Sequence, residues 1–256
     1  MSINAQQKPT KTLAFLGILF LLLTVNQASF AGEETDPLEG FNRPVYEFND
    51  GLDRFILKPI AEGYVAITPG PIRTGVTNFF DNLSYLNVIF NDILQGKFHQ
   101  AIDDSARFFI NSTVGIGGLF DPASSGGLVK HKEDLGQTFG TWGAGEGLYL
   151  NLPFVGPNST RDAPDLVTGA LLNPLIYFAT AIAAPVTAVN VVNKRANLLD
   201  ASKFRDEAAL DPYAFTREAY RQHRTSLIYD GDPPVEDLED FFDEDGGSEE
   251  DALIIE

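Results

Sequence analysis

The sequence predicts an all-α fold, a bundle of short amphipathic helices, on three observations. Apolar residues recur at steps of three and four in several segments. Glycine and proline cut those segments at short intervals. Two-residue alternation occurs in one stretch alone, and one strand makes no sheet. At 256 residues the chain has room for one sizeable domain with tails, and no repeat at a fixed period is visible.

The first 31 residues are set apart from the fold. Lys8 and Lys11 form a positive start, Leu13 to Val25 an uncharged apolar run of 13 residues, and Ser29-Phe30-Ala31 a small-x-small site. A spanning helix needs about 20 apolar residues, so the pattern reads as a signal peptide cleaved after Ala31. Residues 38 to 56 place Leu38, Phe41, Val45, Phe48, Leu52 and Phe55 on one helical face, with Pro44 as the first helical position after Asn42 or Arg43. "TPGP" at 68 to 71 breaks the chain. A helix from Thr74 to Leu94 turns Val76, Phe79, Phe80, Leu83, Leu86, Ile89, Phe90, Ile93 and Leu94 inward and stops at Gly96. Another runs from Phe98 to Val114, with Ile102, Ala106, Phe109 and Ile110 inward and Asp103, Asp104 and Arg107 outward. Gly115 to Gly127 reads as a loop, Glu133 to Trp142 as a short helix, and "LYLNLPF" as a single extended segment. Residues 167 to 193 carry no charge but contain Pro174 and Pro185. Three readings stand for them: a spanning helix, a buried hairpin, or two helices lying in a bilayer. Asp211-Pro212 caps and opens a last helix. The domain therefore covers 32–229, and the acidic stretch 230–256 forms a separate tail.

Charge and chemistry exclude more than they select. The net charge of −18, with 36 acidic residues against 18 basic ones, argues against a nucleic-acid partner. The chain has no cysteine, which removes disulfides, thiolate metal sites and a thiol nucleophile. His99, His131 and His223 stand in no ligand spacing, and His131 in "KHKED" reads as a solvated loop residue. No G-x-S-x-G elbow occurs. "GIGGLF" at 115 to 120 reads as a helix cap and turn. The neighbouring carboxylates Asp103-Asp104 and Glu133-Asp134 point about 100° apart on a helix and read as solvated faces. Nothing forms a catalytic constellation, so the expectation is a protein that is not an enzyme and needs no cofactor.

Four blocks carry a resemblance: "DPLEGFNRPVYEFN" at 36 to 49, "RFFINSTVGIGGLFD" at 107 to 121, "DLGQTFGTWGAGEGLYLNLPFVGPNSTRD" at 134 to 162 and "DPYAFTREAY" at 211 to 220. In that order they resemble the MlaA (VacJ) family. The resemblance implies a ring-like bundle of helices around a central amphipathic channel, lying in the inner leaflet of a Gram-negative outer membrane. It implies transport without covalent chemistry: phospholipids misplaced in the outer leaflet pass through the channel to a periplasmic lipid-carrier protein, and an outer-membrane porin trimer holds the component in place. It points to Phe41 and Asn42, to Gly115, Gly117 and Gly118, and to Gly136 through Tyr149, around the channel or its gating loop. There Gly136, Gly140 and Gly143 would clear one side of a short helix and leave Phe139 and Trp142 to touch lipid or partner. The alternative is tight helix packing in an ordinary core. Arg161 and Asp162 read as a scaffold ion pair.

Two departures from the family pattern follow. Family members are usually lipoproteins with a cysteine after the signal peptide, and "SFAGEE" offers none. Anchoring is then expected from apolar surface: about 400 Å² at about 25 cal/mol per Å² gives roughly 10 kcal/mol before orientational costs. The tail holds 13 of the 36 acidic residues and no Lys or Arg. That composition predicts disorder, as a solubilising tail or one that steers a carrier with a basic patch. A structural or virulence-associated envelope protein, and less so an envelope lipid hydrolase, are the rival functions.

Overall fold

The computed structural model describes residues 36–234. Helix α1 (Glu39–Leu52) runs through a π-helical turn (Asp53–Leu57) into α2 (Lys58–Ile67), and α3 (Gly70–Gln95) and α4 (Phe98–Thr113) follow. Next come α5 (Pro122–Ser125), α6 (Leu135–Thr141) and a hairpin of β1 (Tyr149–Leu152) and β2 (Gly156–Ser159). Helix α7 (Asp165–Leu172), a 3-10 turn (Pro174–Tyr177), α8 (Thr180–Asn197), α9 (Leu199–Ala208) and α10 (Pro212–Ile228) complete the order. The expected all-α class holds. Helix α3 is the hub, packing against α4, α6, α7 and α8, while α10 packs on α6, α9 and β2.

Side-chain caps and one glycine set several of the helix ends. Asp134 accepts the Gln137 N–H at 2.9 Å and starts α6. Asp211 accepts the N–H groups of Tyr213 and Ala214 and starts α10. Gly96 closes α3 at φ +77°, a left-handed conformation that costs glycine little. Helix α1 begins earlier than Pro44 predicts, so Pro44 lies inside it. Just ahead of it, the Asp36 carboxylate accepts the Leu38 N–H at 2.9 Å and an N–H of the Asn42 amide at 2.9 Å. The π turn was not read from the sequence. It places Asp53 so that both its oxygens accept from Arg195 of α8, at 2.5 and 2.9 Å.

The extended segment at 148 to 154 does find a partner, against the expectation of a lone strand. Tyr149 pairs with Ser159 and Leu152 with Gly156 in antiparallel register. "GPNS" reads as turn by composition, which hid the second strand. Phe154 at the tip holds φ +64°, and Asn49 braces it by accepting the Phe154 N–H at 2.9 Å and donating to the Leu152 carbonyl at 2.9 Å. The uncharged stretch 167–193 is not a buried hairpin: α7 and the 3-10 turn bury no residue, and α8 buries Asn193 and Ala196 alone. Among the described residues no helix is long and apolar enough to cross a membrane.

The expected signal peptide with its cleavage site at Ala31, and most of the acidic tail, lie outside the described residues. At the tail's start Asp230 accepts from Lys97 at 2.7 Å. Because Asp211 both caps α10 and pairs with Arg43 at 2.8 Å, Asp211→Ala is expected to lower stability by about 1 kcal/mol, the usual worth of an N-cap. Denaturant unfolding of the detergent-solubilised chain measures it, and Asp211→Asn, which keeps the cap, should recover most of the loss.

Candidate functional site: a polar interior under an apolar exterior

The helical faces are turned inside out. On α4, Ala101, Asp104, Arg107 and Asn111 are buried, while Ile102 and Phe109 stand exposed, Phe109 at 65 %. The expectation of Asp104 and Arg107 outward with Ile102 and Phe109 inward is thus reversed. On α3 the buried stripe is Phe80, Asn82, Tyr85, Val88, Asn91 and Asp92, so that of the nine apolar residues expected inside only Phe80 is buried. Periodicity identifies two faces of a helix; it does not say which one meets solvent. Among the described residues ten hydrophobic side chains are buried against seventeen polar or charged ones, and 34 large hydrophobics are exposed. Proteins immersed in water keep Lys, Arg, Asp and Glu out and bury Ile, Leu, Val and Phe. An apolar exterior on this scale is suited to hydrocarbon or to a partner's apolar face.

Three polar hubs occupy the interior. In the first, Asp36 accepts from Asn42 and from the Tyr213 hydroxyl. Asn42 also donates to the Tyr149 carbonyl at 3.0 Å and accepts the Asn151 N–H at 2.8 Å, which ties α1 to β1. Burial pushes the Tyr149 and Tyr213 phenols up, and the Asp36 carboxylate adds to both shifts. In the second, Arg224 of α10 donates to both oxygens of Asp134 at 2.6 and 2.8 Å and to Asp162 at 3.1 Å. Asp162 takes further bonds from Arg161 at 2.9 Å and from the Tyr220 hydroxyl at 2.5 Å. Burial works against ionisation of Asp134 and Asp162, but the arginines outweigh it and hold both carboxyls low. In the third, Arg107 donates to the Tyr85 hydroxyl at 2.7 Å, to both oxygens of Asp121, to Ser124 and to the Leu128 carbonyl. Asp121, despite partial burial, is carried down to about 2 by Ser124, Asn111 and Arg107.

The residues singled out in the sequence do not converge on one place. Asn42 and Tyr149 meet, both fully buried, in the first hub. Phe41, next to Asn42, is 53 % exposed. Gly136 faces the second hub, where an added Cβ would lie 2.2 Å from an Asp162 oxygen, and Gly140 faces Ile228 at 2.8 Å. These two glycines therefore serve close packing of α6 on α10, the alternative weighed above. Phe139 and Trp142 have ring centroids 5.9 Å apart, and Trp142 is 58 % exposed while its indole N–H reaches the Leu94 carbonyl at 3.2 Å. Gly143 stands at φ +90° in open space. In the turn after α4, a Cβ on Gly115 would meet backbone at 2.4 Å and one on Gly118 the Asn82 side chain at 2.5 Å, whereas Gly117 has open space. Arg161 and Asp162 form their ion pair at 2.9 Å.

Several buried groups were missed. Asp104 and Glu133 are not solvated but buried, and Asp134 is the cap of α6 and the partner of Arg224. His131, partly exposed at 27 %, also contacts Asp104 at 3.0 Å. Arg107, Asn111 and Arg224 were not singled out. Asp104, Arg107 and Asn111 follow one another at steps of three and four on α4, a polar stripe that reads equally as a solvated face, and Arg224 carries no such signal.

Known proteins of the same pattern exist. A family model described as MlaA lipoprotein matches residues 34–227. The chain is 37 % identical over 198 residues to an uncharacterised protein of Rickettsia bellii (strain RML369-C), covering 77 % of this chain and 78 % of that one. It is 32 % identical over 221 residues to the intermembrane phospholipid transport system lipoprotein MlaA of Escherichia coli (strain K12), covering 85 % and 88 %. The protein of the same name from Shigella flexneri is 33 % identical over the same shares. A solved structure described under "Structural basis for maintenance of bacterial outer membrane lipid asymmetry" superposes with a TM-score of 0.67 at 34 % identity, covering 76 % of this chain and 99 % of that one. On the match of the family model and of these relatives, the chain belongs to the MlaA lipoprotein family.

Proposed function

We propose that this chain is the outer-membrane component of an intermembrane phospholipid transport system. In this reading it removes misplaced phospholipids from the outer leaflet through an amphipathic channel and passes them to a periplasmic carrier beside a porin trimer. The single observation that carries the reading is the inverted burial pattern, because it answers two needs of lipid transport together. Apolar faces of α3, α4, α7 and α8 suit contact with acyl chains. Polar faces on the same helices offer a headgroup an alternative to bare hydrocarbon, where a charge costs about 2.5 to 3.5 kcal/mol even on insertion scales. The relatives named as transport lipoproteins support it.

Within this reading the site residues divide by role. Phe41, Phe139 and Trp142 present rings to lipid or to the partner, with Asn42 and Tyr149 holding the N-terminal helix against the hairpin. Gly117 and Gly143, with open space and positive φ, give the two loops their freedom. Gly115, Gly118, Gly136 and Gly140 set close approaches. The 256 residues contain no cysteine to carry a lipid, so the apolar exterior supplies the anchorage.

Expressed in a Gram-negative strain lacking its own family member, the chain is expected to restore resistance to detergent with chelator and to lower outer-leaflet phospholipid. Correct insertion without either effect sinks the transport reading, and release of the protein by a carbonate wash sinks the membrane seat. Gly136→Ala and Trp142→Ala should separate packing from contact. The first crowds the Asp162 and Arg224 pair and should cost about 1–3 kcal/mol in stability. The second should change stability by about 0.5 kcal/mol or less while weakening membrane retention or complementation, as read by unfolding and fractionation side by side.

A further inference from the structure

Asp92 of α3 and Asp104 of α4 are both fully buried, and across the helix–helix seam each lies near enough to act on the other's ionisation. Each has one oxygen satisfied from outside: Gln100 donates to Asp92 Oδ1 at 2.7 Å, and Asp104 Oδ2 contacts His131 Nδ1 at 3.0 Å. The other oxygens, Asp92 Oδ2 and Asp104 Oδ1, are buried without any donor. Ionised carboxylates only accept, so two of them cannot satisfy one another; a single added proton on one supplies the donor for the other.

We propose that Asp92 and Asp104 share one proton, forming an acid–carboxylate clasp between α3 and α4 that loosens when the proton is lost. The proton belongs on Asp92, since Asp104 faces the cationic candidates His131 and Arg107. Burial first, then the charges of Asp104 and Glu133, push the Asp92 carboxyl up to about 7 against the Gln100 bond. Burial likewise pushes Asp104 up, opposed by His131 and Arg107. The charged groups around the clasp are few. From the turn between the helices Lys97 reaches toward it but is bound to Glu133 at 2.8 Å and to Asp230 at 2.7 Å. From α4 come Arg107, committed to Asp121, and the neutral Gln100. From the segment before α6 come His131 and Glu133. A cavity of about 400 Å³ lined by Lys97, Gln100, Asp103 and His131 reaches two of the clasp's direct partners, Gln100 and His131, and gives protons a way in. The clasp is independent of what the protein transports.

The sign follows from the raised carboxyl. Its contribution is full below the unfolded carboxyl range near 4 and is lost as pH rises from there to about 7, above which two like charges and Glu133 face one another. Glu146 and Asp165, also raised, slope the same way, and His223, lowered by burial, slopes the other. The experiment therefore compares the full chain in detergent micelles with its Asp92→Asn variant, whose amide replaces the shared proton's donor permanently. Denaturant unfolding at several pH values between about 5 and 8 should show the wild-type folding constant falling relative to the variant's by up to about tenfold per pH unit below 7, then levelling. Carboxyl carbon NMR of aspartate-labelled wild-type protein should show one aspartate titrating near neutral pH. That measurement stands alone if the variant does not fold. Parallel unfolding curves, or aspartate carbons that all titrate below about pH 5, overturn the proposal.

Discussion

The constraint on which this structure depends is that its interior is polar, so every inward side chain must find a partner inside the protein. A buried amide or hydroxyl left unpaired costs a few kcal/mol, and a buried charge costs more. Much of that demand is met by ties that are long in sequence. Asn42 joins α1 to β1 across 107 residues, Arg224 joins α10 to the start of α6 across 90, and Arg195 joins α8 to the π turn across 142. With few apolar side chains in the core, those ties join helices that bulk burial alone would leave weakly specified. Removing one partner leaves a charge stranded in a low-dielectric setting, which is the costly case for ion pairs.

Asparagine is the residue that makes such an interior workable. Asn42, Asn82, Asn91, Asn111, Asn151, Asn158 and Asn193 are seven of the seventeen buried polar residues. A primary amide offers two donors and an acceptor without the desolvation cost of a formal charge. Each can therefore span a seam at which an ion pair would be marginal. Asn193 illustrates it by donating to Thr77 of α3 at 2.8 Å and accepting from Tyr64 of α2 at 3.2 Å, which clips α8 to two helices at one point.

Much of the fold was legible in the sequence because helix existence and helix ends are local properties. The step pattern of α3 and α4, the Gly96 stop and the Asp211-Pro212 start depend on residues within one or two turns of each other. What was not legible depends on partners elsewhere in the chain. Pro44 is a first-turn residue by local logic, yet α1 begins at Glu39, where the chain just before it is tied through Asp36 to Asn42 and to Tyr213 far along the sequence. "GPNS" becomes a strand only because β1 lies beside it. The inversion of the helical faces was the largest miss: an amphipathic pattern is symmetric until the surrounding medium is known, and a reading in water places the apolar side inward. Of the candidate site, the pairing of Asn42 with Tyr149 was within reach as a set of residues, whereas Arg107 and Arg224 became visible only with their partners.

The same inversion changes how stability should be thought of in this molecule. In a water-soluble domain the hydrophobic effect acts on the core and hydrogen bonds are nearly neutral on exchange with water. Here the apolar area lies outside, so its contribution depends on what covers it, while the inner polar contacts strengthen as water is excluded around them. Transfer from an apolar to an aqueous setting therefore acts twice in one direction: it exposes Phe55, Phe109 and Ile67 to water, and it admits water as a competitor for the Arg107, Arg224 and Asn42 networks. Helices joined mainly through polar seams can in turn shift along those seams by exchanging one partner for another, a freedom that an interlocked aliphatic core would deny them.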